Sequence, residues 1–212
     1  MPIITKWKLA LSDADAVQSS LPYVRTSWLL GLLLAVLVSI GLFGDTARLA
    51  LRYEREAILS GEYWRLLSGH FVHGTNQHLM LNLAGLALIA ALFPRDYTAK
   101  QWLCVLLLSM IAIDAGFVFY EPQLQWYVGF SGVLHGALAA GALAWWRSEP
   151  RGLALALTII LIGKLAWEQW QGPLPLSGDL PVVVDAHLYG ALGGAIAASI
   201  LWAARQPWFC RP

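Results

Sequence analysis

The chain has 212 residues, of which 58% are hydrophobic and 13% are charged, and its formal net charge is +1. A soluble domain contains about 25% charged residues, so this composition favours a protein that is embedded in lipid. A net charge near zero provides no basic surface for a nucleic-acid partner. The two cysteines, Cys104 and Cys210, are too few for the disulfide framework of a small secreted domain.

Six apolar segments predict membrane-spanning helices. Each is about 17 to 23 residues long, close to the roughly 20 residues that a helix needs to cross the hydrocarbon core. Backbone groups in lipid must be hydrogen-bonded within their own segment, which favours helices. In chain order the segments cover residues 27–43, 77–93, 101–120, 128–146, 152–170 and 182–204.

The predicted fold is therefore an all-α membrane protein with one six-helix domain over residues 27–204. An N-terminal segment covers residues 1–26, and a C-terminal tail covers residues 205–212. A long first connection, residues 44–76, is expected to fold at the outer membrane interface, because residues 47–56 have a mixed-charge helical pattern.

The basic residues predict the orientation of the chain. With six spans, both termini share one side with the second and fourth connections, and only four basic residues, all in the first connection, lie on the other side. By the positive-inside rule the termini are predicted to be cytoplasmic. The basic residues on the side of the termini are Lys6, Lys8, Arg25, Arg95, Lys100, Arg147, Arg151, Arg205 and Arg211.

Polar side chains within the apolar segments are candidates for function, since such side chains are costly in lipid. His78 and Asn82 are four residues apart and share one face of the second helix. Ser131 precedes the fourth helix, near the outer aromatic boundary. His187 lies at the start of the sixth helix.

Two rows of small residues predict close packing of the fourth and sixth helices, because small side chains let helices approach each other in lipid. Such packing would bring Ser131 and His187 within hydrogen-bond reach. The rows are Gly132, Gly136 and Ala140 on the fourth helix, and His187, Gly190 and Gly194 on the sixth.

This arrangement predicts acyl-transfer chemistry. A neutral histidine can take the proton of a serine hydroxyl, which is otherwise a poor nucleophile. The tetrahedral oxyanion requires fixed donors, which His78, Asn82 and the backbone N–H of Ser131 can supply. No carboxylate is recognisable from the spacing as a partner of His187, so a serine–histidine dyad is predicted.

Three motifs resemble the signature sequences of rhomboid proteases, in the family's order and on its second, fourth and sixth helices. The motifs are His78-Leu-Met-Leu-Asn82, Gly129-Phe-Ser131-Gly132 and Ala186-His187-Leu-Tyr-Gly190-Ala-Leu-Gly-Gly194. The resemblance implies that Ser131 is the nucleophile and His187 the general base. It implies that His78 and Asn82 contribute to the oxyanion site.

The first connection carries a further resemblance, because Trp64-Arg65 with His73 is similar to the family's first-loop motif. No metal and no cofactor are expected. Supporting positions at the site are Gly129, Gly132, His135, Gly190, Gly194, His73, Trp64 and Arg65.

Within the family, the six-span size and the sequence Gly132-Val-Leu-His135-Gly136 resemble rhombosortases. That resemblance implies a bacterial inner-membrane protein whose active site opens to the periplasm. It implies membrane-protein substrates with a C-terminal Gly-Gly motif, an apolar helix and a basic tail. The fifth helix, with the Gly172-Pro173-Leu174-Pro175 loop, is expected to be the lateral gate.

Several residues allow another interpretation. His135 lies one turn after Ser131, and helical side chains lean toward the N-terminus, so His135 is a rival base. Ser131 itself could be a small packing residue. Lys164 and Glu168 form an i,i+4 pair, predicted to neutralise each other within the fifth helix and otherwise to mark a polar substrate path.

Alternatives also exist for the chain as a whole. Closely spaced His70, His73 and His78 suggest a metal, but their spacing matches no closed zinc site. A non-catalytic rhomboid-like protein that binds or retains client helices is the main competing function. A small transporter is disfavoured by sparse intramembrane charge and by the lack of an inverted repeat. The presence of both Ser131 and His187 favours the protease.

Overall fold

The computed structural model describes residues 26–173 and 182–204. The predicted N-terminal segment up to residue 25, the tail 205–212, and Leu174 and Pro175 of the proposed gate loop lie outside these residues. Five of the basic residues on which the predicted orientation depends also lie outside them: Lys6, Lys8, Arg25, Arg205 and Arg211.

The described residues form a helical bundle with one small strand pair. The six predicted apolar segments correspond to helices α1 and α5 to α9, with ends that agree within a few residues. The helices are α1 (Thr26–Leu42), α2 (Gly44–Leu51), α3 (Arg55–Leu59), α4 (Trp64–Ser68), α5 (Asn76–Leu92), α6 (Ala99–Tyr120), α7 (Ser131–Ser148), α8 (Arg151–Gln171) and α9 (Asp185–Ala203). A 3-10 turn covers Gly69–Phe71, and the strands are β1 (Tyr53–Glu54) and β2 (Trp126–Tyr127).

Local sequence explains where the helices of the site begin. Thr75 caps α5 by accepting a hydrogen bond from the backbone N–H of His78, with the two atoms 3.1 Å apart. α7 begins at Ser131, three residues after the start of the predicted segment, because Gly129 has a backbone conformation that is not helical. Gly129, which follows β2, has a φ of +130° that only glycine adopts readily.

Three helices of the described chain, α6, α8 and α9, are individually long and apolar enough to cross a membrane. Two bent pairs would raise the number to five, namely α1 with α2, bent by 108°, and Trp64–Phe71 with α5, bent by 87°. α7 is not among these candidates, although it lies at the centre of the bundle against α5, α6, α8 and α9. The structure thus supports three to five spans, and the count of six stays a prediction.

α7 packs most extensively against α9, through the two predicted rows of small residues. A Cβ atom added to Gly190 would overlap the backbone carbonyl of Gly132. A Cβ atom added to Gly194 would likewise overlap the carbonyl of Gly136. The backbones of the two helices are therefore in direct contact, which brings the first turn of α9 beside the N-terminus of α7.

The first connection is folded and is attached to the segment that precedes α7. β1 pairs antiparallel with β2, so that Tyr53 lies opposite Tyr127. The backbone N–H of Gly129 donates to the carbonyl of Gly69, with a distance of 3.2 Å between the atoms. The predicted helical pattern over residues 47–56 is wrong at residues 52–54, because the chain turns into an extended conformation at Arg52 and forms β1 before the helix resumes in α3.

Candidate active site

Ser131 is the first residue of α7, and its hydroxyl is in hydrogen-bond contact with a histidine. The Oγ atom of Ser131 lies 2.9 Å from Nε2 of His187, which is the third residue of α9 and is 5% exposed. The contact predicted from the two small-residue rows is therefore present. A serine hydroxyl beside an imidazole nitrogen can lose its proton to that nitrogen.

The second nitrogen of His187 contacts a carboxylate that the sequence interpretation missed. Nδ1 of His187 lies 2.9 Å from Oε2 of Glu168 on α8, and Glu168 is 3% exposed. The prediction that no carboxylate lies beside the base is wrong. Glu168 and His187 are 19 positions apart and belong to different helices, so spacing alone could not relate them.

The predicted ion pair between Lys164 and Glu168 is confirmed. Nζ of Lys164 lies 2.6 Å from Oε1 of Glu168, one turn apart on α8. The carboxylate of Glu168 therefore bridges two groups: one oxygen contacts the ammonium of Lys164, and the other contacts the imidazole of His187. The two residues therefore do not only neutralise each other, since Glu168 also connects α8 to His187 on α9.

His135, the rival base, contacts a different atom of Ser131. Its Nδ1 lies 2.7 Å from the backbone carbonyl oxygen of Ser131. A carbonyl only accepts hydrogen bonds, so this nitrogen of His135 carries a proton and donates it. The ring of His135 also stacks on that of His187, with centroids 4.1 Å apart and planes 19° apart. The geometry favours His187 as the base and gives His135 a supporting contact.

His78 and Ser131 line one cavity of about 320 Å³, bordered by β2 and by Val182 and Val183. Gly129 permits the approach of His78, because a Cβ atom at Gly129 would lie 2.7 Å from Cε1 of His78. The cavity can therefore present an imidazole to a group held at the serine. A donor in this position suits a developing oxyanion.

Asn82 is 2% exposed and does not line this cavity. Its Nδ2 donates to the backbone carbonyl of His78, with a distance of 2.9 Å between the atoms. Its buried Oδ1 has no hydrogen-bond partner within the described part of the chain. The structure does not bring Asn82 to Ser131 as directly as His78, so its contribution to the oxyanion site stays a prediction.

The first-loop motif contributes one buried and one exposed side chain. Arg65 is 8% exposed, pairs with Glu62 at 2.6 Å and donates to two backbone carbonyls, of Leu49 and Arg52. Arg65 therefore holds the first connection together. Trp64 is 56% exposed and shows no comparable anchoring contact among the described residues.

His73 lies beside His78, with ring centroids 5.0 Å apart in an edge-to-face arrangement. Burial, together with the neighbouring His78, lowers the pKa of His73 from its ordinary value to about 3. His73 is thus neutral at physiological pH, and its predicted role of bracing the loop before α5 stays a prediction.

One group of side chains within residues 26–173 and 182–204 has the spacing of metal ligands. The candidate ligand atoms of His135, Glu168 and His187 lie within 4.8 Å of one another. The ammonium of Lys164 already provides a cation at Glu168, and Nε2 of His187 contacts Ser131. These contacts fit a hydrogen-bonded site better than a metal centre. The histidines considered from the sequence, His70, His73 and His78, form no such group in this part of the chain.

Comparison with known proteins agrees with the motifs. The rhomboid domain family matches residues 60–204, well over half of the chain. The chain is 23% identical to "Rhomboid protease GlpG" of Salmonella paratyphi A (strain ATCC 9150 / SARB42), over 93% of this chain and 74% of that protein. GlpG of Salmonella typhi matches with the same identity and coverage. The chain belongs to the rhomboid family.

Proposed function

We propose that this protein is an intramembrane serine endopeptidase that cleaves other membrane proteins in or near a transmembrane helix. Membership of the rhomboid family and similarity to the GlpG rhomboid proteases support a serine protease that is integral to the membrane. The observation that carries the proposal is the 2.9 Å contact between the hydroxyl of Ser131 and Nε2 of His187.

In the proposed reaction, Oγ of Ser131 attacks the carbonyl carbon of the scissile bond while Nε2 of His187 takes its proton. His187 then gives that proton to the leaving amine, and an acyl-enzyme remains on Ser131. A water molecule, deprotonated by His187, releases the acyl group. We propose that the backbone N–H of Ser131, His78 and Asn82 stabilise the oxyanion, where the loss of one donor typically lowers kcat by about 10² to 10³.

The substrate must present an extended peptide bond, because a helical backbone shields its carbonyl carbons. Small or helix-breaking residues near the scissile bond lower the cost of unwinding. The cavity lined by His78 and Ser131 provides a space of about 320 Å³ for such a segment and for water. We propose that it opens to the periplasm of a bacterial inner membrane and that both termini are cytoplasmic, as the basic residues predict.

Within the family we propose a rhombosortase, whose substrates carry a C-terminal Gly-Gly motif before an apolar helix and a basic tail. The resemblance of residues 132–136 to the rhombosortase sequence supports this assignment. His135, which belongs to that sequence, contacts the carbonyl of Ser131 and so lies at the site. The product would be a protein released from its C-terminal membrane anchor.

A reconstituted cleavage assay tests both the proposed protease activity and the proposed rhombosortase specificity. The substrate is a reporter protein with a Gly-Gly motif, an apolar helix and a basic tail, and the matched control replaces Gly-Gly by Leu-Leu. We expect the wild-type protein to cleave the Gly-Gly reporter, with the product mass read by mass spectrometry, and Ser131→Ala to leave it intact. Equal cleavage of both reporters would contradict the rhombosortase assignment, and undiminished cleavage by Ser131→Ala would contradict the protease.

A further inference from the structure

The carboxylate of Glu168 is buried, and each of its oxygens is paired. Oε1 accepts from the ammonium of Lys164 at 2.6 Å, and Oε2 lies 2.9 Å from Nδ1 of His187. A buried carboxylate is strongly disfavoured unless it has such partners. Lys164, one turn away on the same helix, therefore keeps Glu168 ionised and holds its side chain in one position.

An ionised carboxylate can only accept hydrogen bonds, so the proton between Glu168 and His187 belongs to Nδ1 of the imidazole. A neutral imidazole has one proton, and Nε2 then carries the free lone pair. This lone pair lies 2.9 Å from the hydroxyl of Ser131. The contact with Glu168 thus selects the tautomer in which His187 can act as a base.

The groups that surround His187 have separate tasks. Glu168 and Lys164 approach from α8, and His135 stacks on the ring from α7. From α5, His78 lines the same cavity as Ser131. Among these groups Glu168 alone carries a negative charge. Its Oε2 contacts Nδ1 of His187, whereas Ser131 contacts Nε2 of the same ring. Glu168 can therefore stabilise the imidazolium that forms when His187 takes the proton.

We infer that Glu168 is a positioning residue for the catalytic base, so that Ser131, His187 and Glu168 form a triad in place of the predicted dyad. During attack, the proton of Ser131 moves to Nε2 of His187, and the Nδ1 proton stays on the imidazole, hydrogen-bonded to Glu168. Glu168 takes up no proton at any step. This inference rests on the proposed function, because it requires His187 to act as the base.

The test compares Glu168→Gln, Glu168→Asp and Lys164→Met with the wild-type protein on the cleaved reporter. Glu168→Gln keeps the size of the side chain but no longer requires the proton on Nδ1. We expect it to lower kcat by about 10² to 10⁴, with KM changed less than about threefold. The acidic limb of the pH profile should move to lower pH, because the imidazolium loses its counter-charge. Glu168→Asp should recover part of the lost rate, since it restores a carboxylate.

Gln169→Ala is the matched control, since Gln169 is the next residue on α8 and is exposed. It should leave the kinetics unchanged, and Lys164→Met should cause a smaller loss of kcat than Glu168→Gln. Melting temperatures within a few degrees of wild type would show that the variants fold. A folded Glu168→Gln with kcat within about threefold of wild type and an unmoved acidic limb would overturn the inference. If the wild-type protein shows no turnover that depends on Ser131, the proposed function itself fails.

Discussion

At the scale of single residues, the proposed chemistry depends on which histidine nitrogen contacts which oxygen of Ser131. His187 contacts the hydroxyl, whereas His135 contacts the backbone carbonyl and stacks on His187. Only the first contact can accept the hydroxyl proton, because a nitrogen that donates to a carbonyl has no free lone pair on that side. The two histidines should therefore respond differently to removal.

Replacing each histidine separately tests this assignment. His187→Ala should lower kcat/KM by about 10⁴ or more, because the nucleophile loses its base. His135→Ala should cause a smaller loss, about tenfold to a hundredfold, because His187 loses a stacking partner but keeps its contacts with Ser131 and Glu168. Both values come from the rate of reporter cleavage at saturating and limiting substrate. A larger effect at His135 than at His187 would contradict the assignment.

The site residues differ in how far the sequence predicts them. Ser131 and His187 lie in recognisable motifs, and the small-residue rows correctly predict that their helices meet. Glu168 carries no such motif, and its i,i+4 pair with Lys164 suggests a self-contained ion pair. Its contact with His187 depends on the rotation of α8 about its axis and on its height relative to α9. Periodicity within a single helix reports neither quantity.

At the scale of elements, the contact between α7 and α9 sets the distance between Ser131 and His187. Gly132 and Gly136 contact Gly190 and Gly194 without intervening side chains. The sequence predicts this pairing because small residues recur every four positions. It does not predict the strand pair of β1 with β2, since two-residue strands have no detectable alternation, or the break at Arg52.

Gly190→Ala tests the close contact. The added Cβ would overlap the carbonyl of Gly132, so the two helices must separate. We expect a loss of stability of about 1–3 kcal/mol, as for overpacking of a core, seen as a lower melting temperature in detergent. Cleavage should fall as well, because the separation lengthens the contact between Ser131 and His187.

Gly163→Ala on α8 is the control, since nothing lies within 4 Å of a Cβ atom at that position. It should keep the wild-type melting temperature or raise it slightly, because alanine favours the helical backbone by roughly 0.5–1 kcal/mol. Equal melting temperatures for the Gly190 and Gly163 variants would show that the two helices do not need the direct backbone contact.

At the scale of the whole molecule, the helix that carries Ser131 is enclosed by other helices. α7 is rich in alanine and glycine and contains His135, and it contacts α5, α6, α8 and α9. An enclosed helix faces little lipid, so the many small residues and the histidine of α7 are compatible with a place inside a membrane bundle. Composition predicts a membrane protein, but assigning α7 as a span requires its position among its neighbours.

The packing of helices around α7 also determines which molecules can reach the hydroxyl of Ser131. Ser131 lies at the N-terminal end of α7, beside the cavity that His78 and β2 line. A peptide segment and a water molecule can reach the hydroxyl from that cavity, while the remainder of α7 stays packed among helices. An activated serine in an accessible cavity should react with small electrophiles that mimic a scissile carbonyl.

The most direct measurement is therefore intact-protein mass spectrometry of the detergent-solubilised chain after treatment with a fluorophosphonate. We predict a single covalent adduct, located at Ser131 by peptide mapping, absent from Ser131→Ala and strongly reduced in His187→Ala. A wild-type protein that stays unlabelled, or a Ser131→Ala protein that is labelled to the same extent, would contradict an activated serine at the N-terminus of α7.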